Sequence, residues 1–252
     1  MDQKFLKWKN HPRAVIIGNG PSLSKINLHV FDQELTIGVN GILYNGFEPT
    51  FICITDHIIV DTHPAEILFG SKKSIYLFRH DLYQKYQDKI HRHLSPQQIH
   101  TLKCNTKLDM IHPSVNQFDP SFKQFNVSYS VMMDIVFPLV QYLKISVVYM
   151  LGIDHNNFKN HSYDTLLTSK PIDPPNPQNI LNFNDQTQAD DLTRRYQKAK
   201  TMLEKYGIRV WNIGLDSRLE VFLKANLTDI FPNAVKNLSK ILSVNKVKDF
   251  SK

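Results

Sequence analysis

Ala14-Val15-Ile16-Ile17-Gly18-Asn19-Gly20-Pro21-Ser22-Leu23 is the stretch that decides the fold. Four apolar, largely β-branched residues predict a short buried strand, and the Gly-Asn-Gly after it predicts a turn in which bare backbone can approach a ligand closely. Pro21 and Ser22 suit the first turn of a helix, because proline at the first helical position gives up only an amide that would have lacked a partner. A strand, a glycine turn and a helix start together make an anion site. The free amides and the positive dipole end favour a phosphate, and Asn19 and Ser22 can add neutral hydrogen bonds. The alternative is a plain tight turn between strand and helix, since two glycines alone are a weak signal.

Further strands end in the same way. Thr36 to Gly41 reads as a strand closing on Asn40, and Phe47 to Asp56 as one that delivers a carboxylate at its end. Val147 to His155 repeats the pattern with Gly152, Asp154 and His155, and Arg209 to Ile213 forms a last strand with Asn212 at its end. In open α/β sheets the ligand sits beyond the carboxyl ends of the strands. Asn19, Asn40, Asp56, Asp154, His155 and Asn212 are therefore expected around one crevice. The expected fold is α/β, a mostly parallel Rossmann-like sheet with helices on both faces, in one domain with a lid.

The ordered set of GNGPSL, strand-Asn, the Pro49-Thr50 strand ending in Asp56, and Gly152-Ile153-Asp154-His155 resembles the bacterial MptE-like proteins, named after an archaeal 6-hydroxymethylpterin diphosphokinase. It is also similar to the family-42 sialyltransferases at the N-terminal NGPSL, the second-strand Asn and the late GID. The resemblance runs from about Ala14 to Phe231, with a poor middle between Asp61 and Phe125. It implies a Rossmann-like, GT-A-like variant fold that holds a nucleotide, a CMP-sugar in the sialyltransferases. By similarity Asn19 and Ser22 would lie beside the phosphate, Asn40 near the cytidine and ribose, and Gly152 and Asp154 at the pocket edge. Ser128 and Ser130, opening a later helix, would be further phosphate or sugar contacts; their other reading is that they cap that helix. One departure is plain. The sialyltransferases carry a catalytic histidine before their last long helix, whereas Asn182 to Asp191 here contains none.

Size and charge set outer bounds. A chain of 252 residues without internal repeats suits one substantial α/β domain, expected over 1–232. Its net charge of +7 favours anionic ligands, but the scattered Lys and Arg and the absence of finger or RNP-type motifs argue against nucleic acid as a partner. Cys53 and Cys104 supply neither a disulfide framework nor a metal cluster, and Met1 to Arg13 is polar and basic without an apolar core. A cytoplasmic location is expected, and no apolar run approaches the roughly 20 residues of a membrane span.

Between the motifs, Ser74 to Phe78 reads as another buried strand and Arg79 to His112 as a mixed, polar region without clear periodicity. Asn105 to Phe125 reads as a loop, and Ser128 to Leu143 as a helix in which Pro138 would introduce a kink. Residues 156–188, with four prolines and little apolar pattern, read as a lid that closes over the ligand and excludes water. A strong helix is expected over Ala189 to Tyr206. The tail 233–252 interleaves five lysines with apolar residues. A basic amphipathic helix of this kind can lie on an anionic bilayer, at the inner face of the membrane, or pack on its own domain.

Three functions compete. A glycosyltransferase using a nucleotide-activated sugar, most plausibly a CMP-linked acidic sugar, needs the leaving phosphate stabilised and the acceptor hydroxyl deprotonated. His155 is the first choice of base, because an imidazole titrates near neutral pH; Asp154, Asp56 and Asp185 are the carboxylate alternatives. Its partners would be a nucleotide-sugar donor and a glycan acceptor on a bacterial surface glycan or glycolipid. The second function is a pterin diphosphotransferase using ATP, with magnesium held by Asp56 or Asp154 and, in the absence of a P-loop lysine, Arg79, Arg194 or Arg195 clamping the phosphates, although nothing in their spacing requires it. A third is a nucleotide-binding relative without turnover. The first requires no cofactor, no resident metal site is expected, and the oligomeric state stays open.

Overall fold

In the computed structural model, residues 3–128, 130–154, 186–215 and 217–236 are described. Nine strands form one sheet in the order β6-β5-β4-β3-β2-β1-β7-β8-β9, every neighbouring pair parallel. They are β1 Arg13–Ile17, β2 Leu35–Val39, β3 Phe51–Ile54, β4 Ile75–Arg79, β5 Ile99–Asp109, β6 Gln124–Val127, β7 Val147–Leu151, β8 Arg209–Asn212 and β9 Leu223–Lys224. From β1 the chain winds outward to β6, then returns to place β7 against the other side of β1, with Arg13 opposite Val147 and Ile17 opposite Leu151. The order reverses between β1 and β7, which makes that pair the switch point of the sheet.

A parallel sheet must be covered on both faces, because its crossovers lay helices over each. That is why Ala14 to Ile17 are apolar without alternation. Ala14 and Ile16 enter one core, together with Phe51, Leu77 and Val148. Val15 and Ile17 enter the other, together with Ile52, Ile54 and Phe78. The helices are α1 His57–Thr62, α2 Ala65–Leu68, α3 His80–His91, α4 Phe137–Leu143, α5 Gln186–Lys205 and α6 Leu227–Ile230. Helices α4 and α5 close the first face through Leu139, Leu143, Tyr196 and Leu203. Helices α1, α3 and α6 close the second through Val60, Leu82, Ile90 and Leu227. The Rossmann-like α/β architecture expected from the first strand is thus present.

Several local expectations change. The helix start at Pro21 is a five-residue 3-10 helix, Pro21–Lys25. β4 is the strand expected from Ser74; after it come α3, the eleven-residue β5 and the edge strand β6, so the loop expected from Asn105 to Phe125 is shorter, residues 110–123 between the two strands. Strand β6 is the rim of the sheet, and β5 beside it carries a register shift between Cys104 and Asp109. The expected helix from Ser128 divides into a π-helix, Met132–Val136, and α4. Pro138 has no amide to donate, so the ladder widens just ahead of it, with the Phe137 amide bonded to the Met132 carbonyl. Of the lid, residues 156–185 lie outside the described residues, and Gln186 to Gln188 begin α5. Of the tail, 237–252 lie outside them too. The part before packs on the domain: Ala234 is fully buried, and Val235 bridges Ile26. No helix among the described residues is long and apolar enough to cross a membrane.

The polar N-terminal stretch contributes an aromatic anchor. Phe5 is fully buried, 5.7 Å from the ring of Phe51 and edge-on to Phe122 and Tyr142 at 5.8 and 5.7 Å. Phe5→Ala should lower stability by about 3–5 kcal/mol, the cost of an unfilled aromatic site, read as a lower urea midpoint at unchanged slope. A loss under about 1 kcal/mol would mean that the segment is not part of the core.

Candidate functional site

At the switch point the loops after β1 and β7 run against each other backbone to backbone. The Gly18 amide donates to the Leu151 carbonyl at 2.9 Å and the Gly20 amide to that of Gly152 at 2.8 Å. A Cβ on Gly18 would stand 2.2 Å from the Gly152 carbonyl oxygen, and one on Gly20 2.4 Å from Asp154 Oδ2. Gly152 itself takes φ +65° beneath Leu23, a conformation that favours glycine. These glycines are needed for the chain's close approach to itself.

Asp154 fills the place offered to a phosphate. It is 0% exposed; its Oδ2 accepts from the Ser22 amide at 2.8 Å and its Oδ1 from the Ser22 hydroxyl at 2.5 Å. The interaction is the expected one, an oxyanion at a helix start, but the oxyanion belongs to the protein. Ser22 and Asp154 thus hold each other, and Asp154, buried with both oxygens engaged, ties together the loops after β1 and β7.

Asn212 is another tie. Only 2% exposed, it donates to Ser217 Oγ and the Leu219 carbonyl, both at 2.9 Å, and accepts from the Gly214 amide at 3.1 Å. Ser217 in turn donates to the Ile153 carbonyl at 2.7 Å, so the loops after β7 and β8 form one network and Asn212 does not line an opening. Asp56 caps α1, accepting from the Ile58 amide at 2.8 Å. The Ser130 carbonyl accepts from the Met133 and Asp134 amides at 3.0 and 2.8 Å, and so starts the π-helix. Among the described residues no group of three His, Cys, Asp or Glu is gathered to hold a metal. His155 lies outside the described residues.

What remains half-buried at the carboxyl ends of β1 and β2 is a set of uncharged amides. Asn19 Nδ2 donates to the Val39 carbonyl at 2.7 Å, and Asn45 Nδ2 stands 3.5 Å from Asn19 Oδ1. Asn40 takes a left-handed φ of 45°, which asparagine tolerates better than most residues, and its amide donates to the Cys53 carbonyl at 2.8 Å. Its side-chain Oδ1 is enclosed without a hydrogen-bond partner. An acceptor left in that state costs about 1–3 kcal/mol until a donor reaches it.

Beyond β4 to β6 lies a charged group that sequence reading missed in part. Asp134, in the π-helix, is 0% exposed. Ser128 donates to its Oδ1 through the hydroxyl at 2.5 Å and through the amide at 3.1 Å, which also commits Ser128 to an internal contact. Oδ2 has no partner. Burial pushes the Asp134 carboxyl up to about 6, held back by the Ser128 hydroxyl and by the field of Arg79 at the end of β4. The available signal was one acid inside the apolar run Val131-Met132-Met133-Asp134-Ile135-Val136, a place where a carboxylate is retained only with a partner.

Because folding raises the Asp134 pKa from 3.8 to about 6, the folded state binds its proton more tightly than the unfolded chain. The sign follows: this contribution is present at low pH and is lost as pH rises from about 4 to about 6, by up to about 3 kcal/mol. Asp134→Asn should lack that loss, so the stability difference, wild type minus variant, should fall across the window and stay flat above it in urea titrations. In addition, Gly20→Ala, by driving a methyl into Asp154, should lower the melting midpoint more than Gly207→Ala, where a Cβ meets nothing within 4 Å and the cost is only that of the left-handed φ of +72°, about 1 kcal/mol. Equal shifts in those two variants would contradict the packing of the two loops.

No family model, no curated protein and no solved structure matches this chain.

Proposed function

We propose that the carboxyl edge of β1 to β4 holds a nucleotide-activated sugar, a CMP-linked acidic sugar, and that the chain is a glycosyltransferase acting on a bacterial surface glycan or glycolipid. The observation that carries this reading is the enclosed, unpartnered Asn40 Oδ1 beside the Asn19 amide, at the edge of a parallel sheet next to its switch point. A lone acceptor there suits a ligand with N–H or O–H groups, such as the exocyclic amine of cytosine or a ribose hydroxyl. The uncharged amides at the ends of β1 and β2 suit a nucleoside.

In such a transfer the acceptor oxygen bonds to the anomeric carbon as the bond from that carbon to the phosphate oxygen breaks. The electron pair leaves with the nucleotide phosphate, and the acceptor's proton passes to a base. With Asp154 committed to Ser22 and Asp56 to the start of α1, His155 is the residue proposed for that proton. The Ser22–Asp154 contact then keeps the chain immediately before His155 in place. The reaction needs no cofactor in this scheme, and a cytoplasmic site facing the inner membrane leaflet would bring the basic 233–252 stretch near anionic lipid.

Thermal denaturation tests the donor class. CMP or a CMP-sugar at about a hundredfold excess over its Kd should raise the melting midpoint by about 5 °C or more, and ATP with magnesium should not. Asn40→Asp keeps the side-chain shape and the left-handed backbone but puts a carboxylate oxygen in the enclosed acceptor position, which costs stability in the ligand-free protein and sets a charge beside an anionic ligand. Measured against its own ligand-free midpoint, the variant should show no shift with CMP or a CMP-sugar. Stabilisation by ATP with magnesium alone would replace this reading with the diphosphotransferase one.

A further inference from the structure

Arg79 stands where the local chain disfavours it. It occupies the N-cap position of α3, with no side-chain cap bond, where the dipole opposes a cation and a side chain that accepts from the helix amides is preferred. Asp81, in the first turn, takes the Arg79 Nε and Nη2 on its two carboxylate oxygens at 3.1 and 2.7 Å. The guanidinium also lies over Phe125, 5.5 Å from its ring centre. The fork is therefore fixed before any ligand arrives.

Arg195 shows the contrast. That guanidinium spends all three nitrogens on Asp109 and Asp191, at 2.6, 2.9 and 2.8 Å, and its side chain is 8% exposed. It ties α5 to β5. Arg79 uses only one edge, no acceptor among the described residues takes its Nη1, and its side chain keeps 21% of its surface. Asp134, whose charge interacts with Arg79, is a buried counter-charge with an oxygen to spare. Arg79 ends β4 and Asn40 follows β2, two strands apart, a separation of about 10 Å across the sheet. That is the scale of a nucleoside joined to a further group.

We propose that Arg79 is the anion-recognising residue of the crevice, its Nη1 edge taking a carboxylate or phosphate oxyanion of the ligand whose nucleoside end lies at Asn19 and Asn40. This rests on the nucleotide-sugar reading and deepens it. The group recognised is the acidic function of the sugar or the phosphate that joins it to the nucleoside, both oxyanions that a guanidinium edge can meet.

Calorimetric titration of the full chain separates these sources, using cytidine, CMP and free N-acetylneuraminate, an acidic sugar without phosphate. In Arg79→Gln the affinity for at least one of the two anions should fall about tenfold or more while that for cytidine is unchanged. A loss confined to N-acetylneuraminate assigns the sugar carboxylate, and a loss confined to CMP assigns the phosphate. Arg79→Lys keeps the charge against Asp81 but loses the planar fork, so it should fall between wild type and Gln, and it serves if the Gln variant fails to fold. Equal affinities for both anions in the wild type and the Gln variant would overturn the proposal, as would a wild type that binds neither anion. Cytidine failing to bind while anion binding still follows Arg79 would overturn the nucleotide reading alone.

Discussion

The contact between Ser22 and Asp154 is the constraint on which the rest of the site depends. It joins residues 132 positions apart at the one place where the strand order reverses, and it satisfies a hydroxyl, an amide and a buried carboxylate together. A carboxylate removed from water is tolerated only when its oxygens are met by good donors. The glycines around it follow from the same requirement, since Gly18 and Gly20 are the positions where the neighbouring loop leaves no room for a side chain. The crevice thereby gains a rigid floor at β1 and β7 and keeps its open polar groups at β1 to β4.

The same features explain what could be read in the sequence. The first strand, its glycines and the strands ending in Asn40, Asp56 and Asp154 were legible because each is encoded within a few consecutive residues: apolar, β-branched, then turn-forming. Which of those terminal residues face one another was not legible, because that depends on register between distant strands. Ser22 and Asp154 each read as ligand-facing residues in isolation, and the fold brings them into contact with each other. Asn212 and Ser128 meet a similar fate, each held by a neighbour a few residues along the chain. The middle of the chain failed for another reason. Strand β6 ends the sheet and lacks a neighbour on one side, and β5 meets β4 only over Ile99 to Leu102, so their residues need not be uniformly apolar. Phe5 was missed because a single aromatic in a polar, basic stretch carries no periodicity, although its ring sits among four other rings of the core.

Two kinds of polar residue thus populate the carboxyl edge. One kind is consumed in tying loops together, as at Asp154, Asn212 and Asp56, and gives the edge its shape. The other kind keeps hydrogen-bonding capacity in hand, as at Asn40, Arg79 and Asp134. Separating them required partner and distance for each atom, because residue type alone places an aspartate in either group. The charged members of the second kind lie on the β4 to β6 side and the uncharged amides on the β1 to β2 side, so polarity grades along the edge.

Val235 pairs antiparallel with Ile26, and the backbone bonds Asn27 to Ala234 and Lys236 to Lys25 flank that bridge at 2.7 and 2.9 Å. The segment it grips begins at the residue that follows the Pro21–Lys25 turn bearing Ser22. Whatever mechanical load is carried by the stretch after Lys236 is therefore delivered in shear to the chain beside the switch point. A tug at the tail and the alignment of the Asp154 loop are linked through a handful of peptide groups.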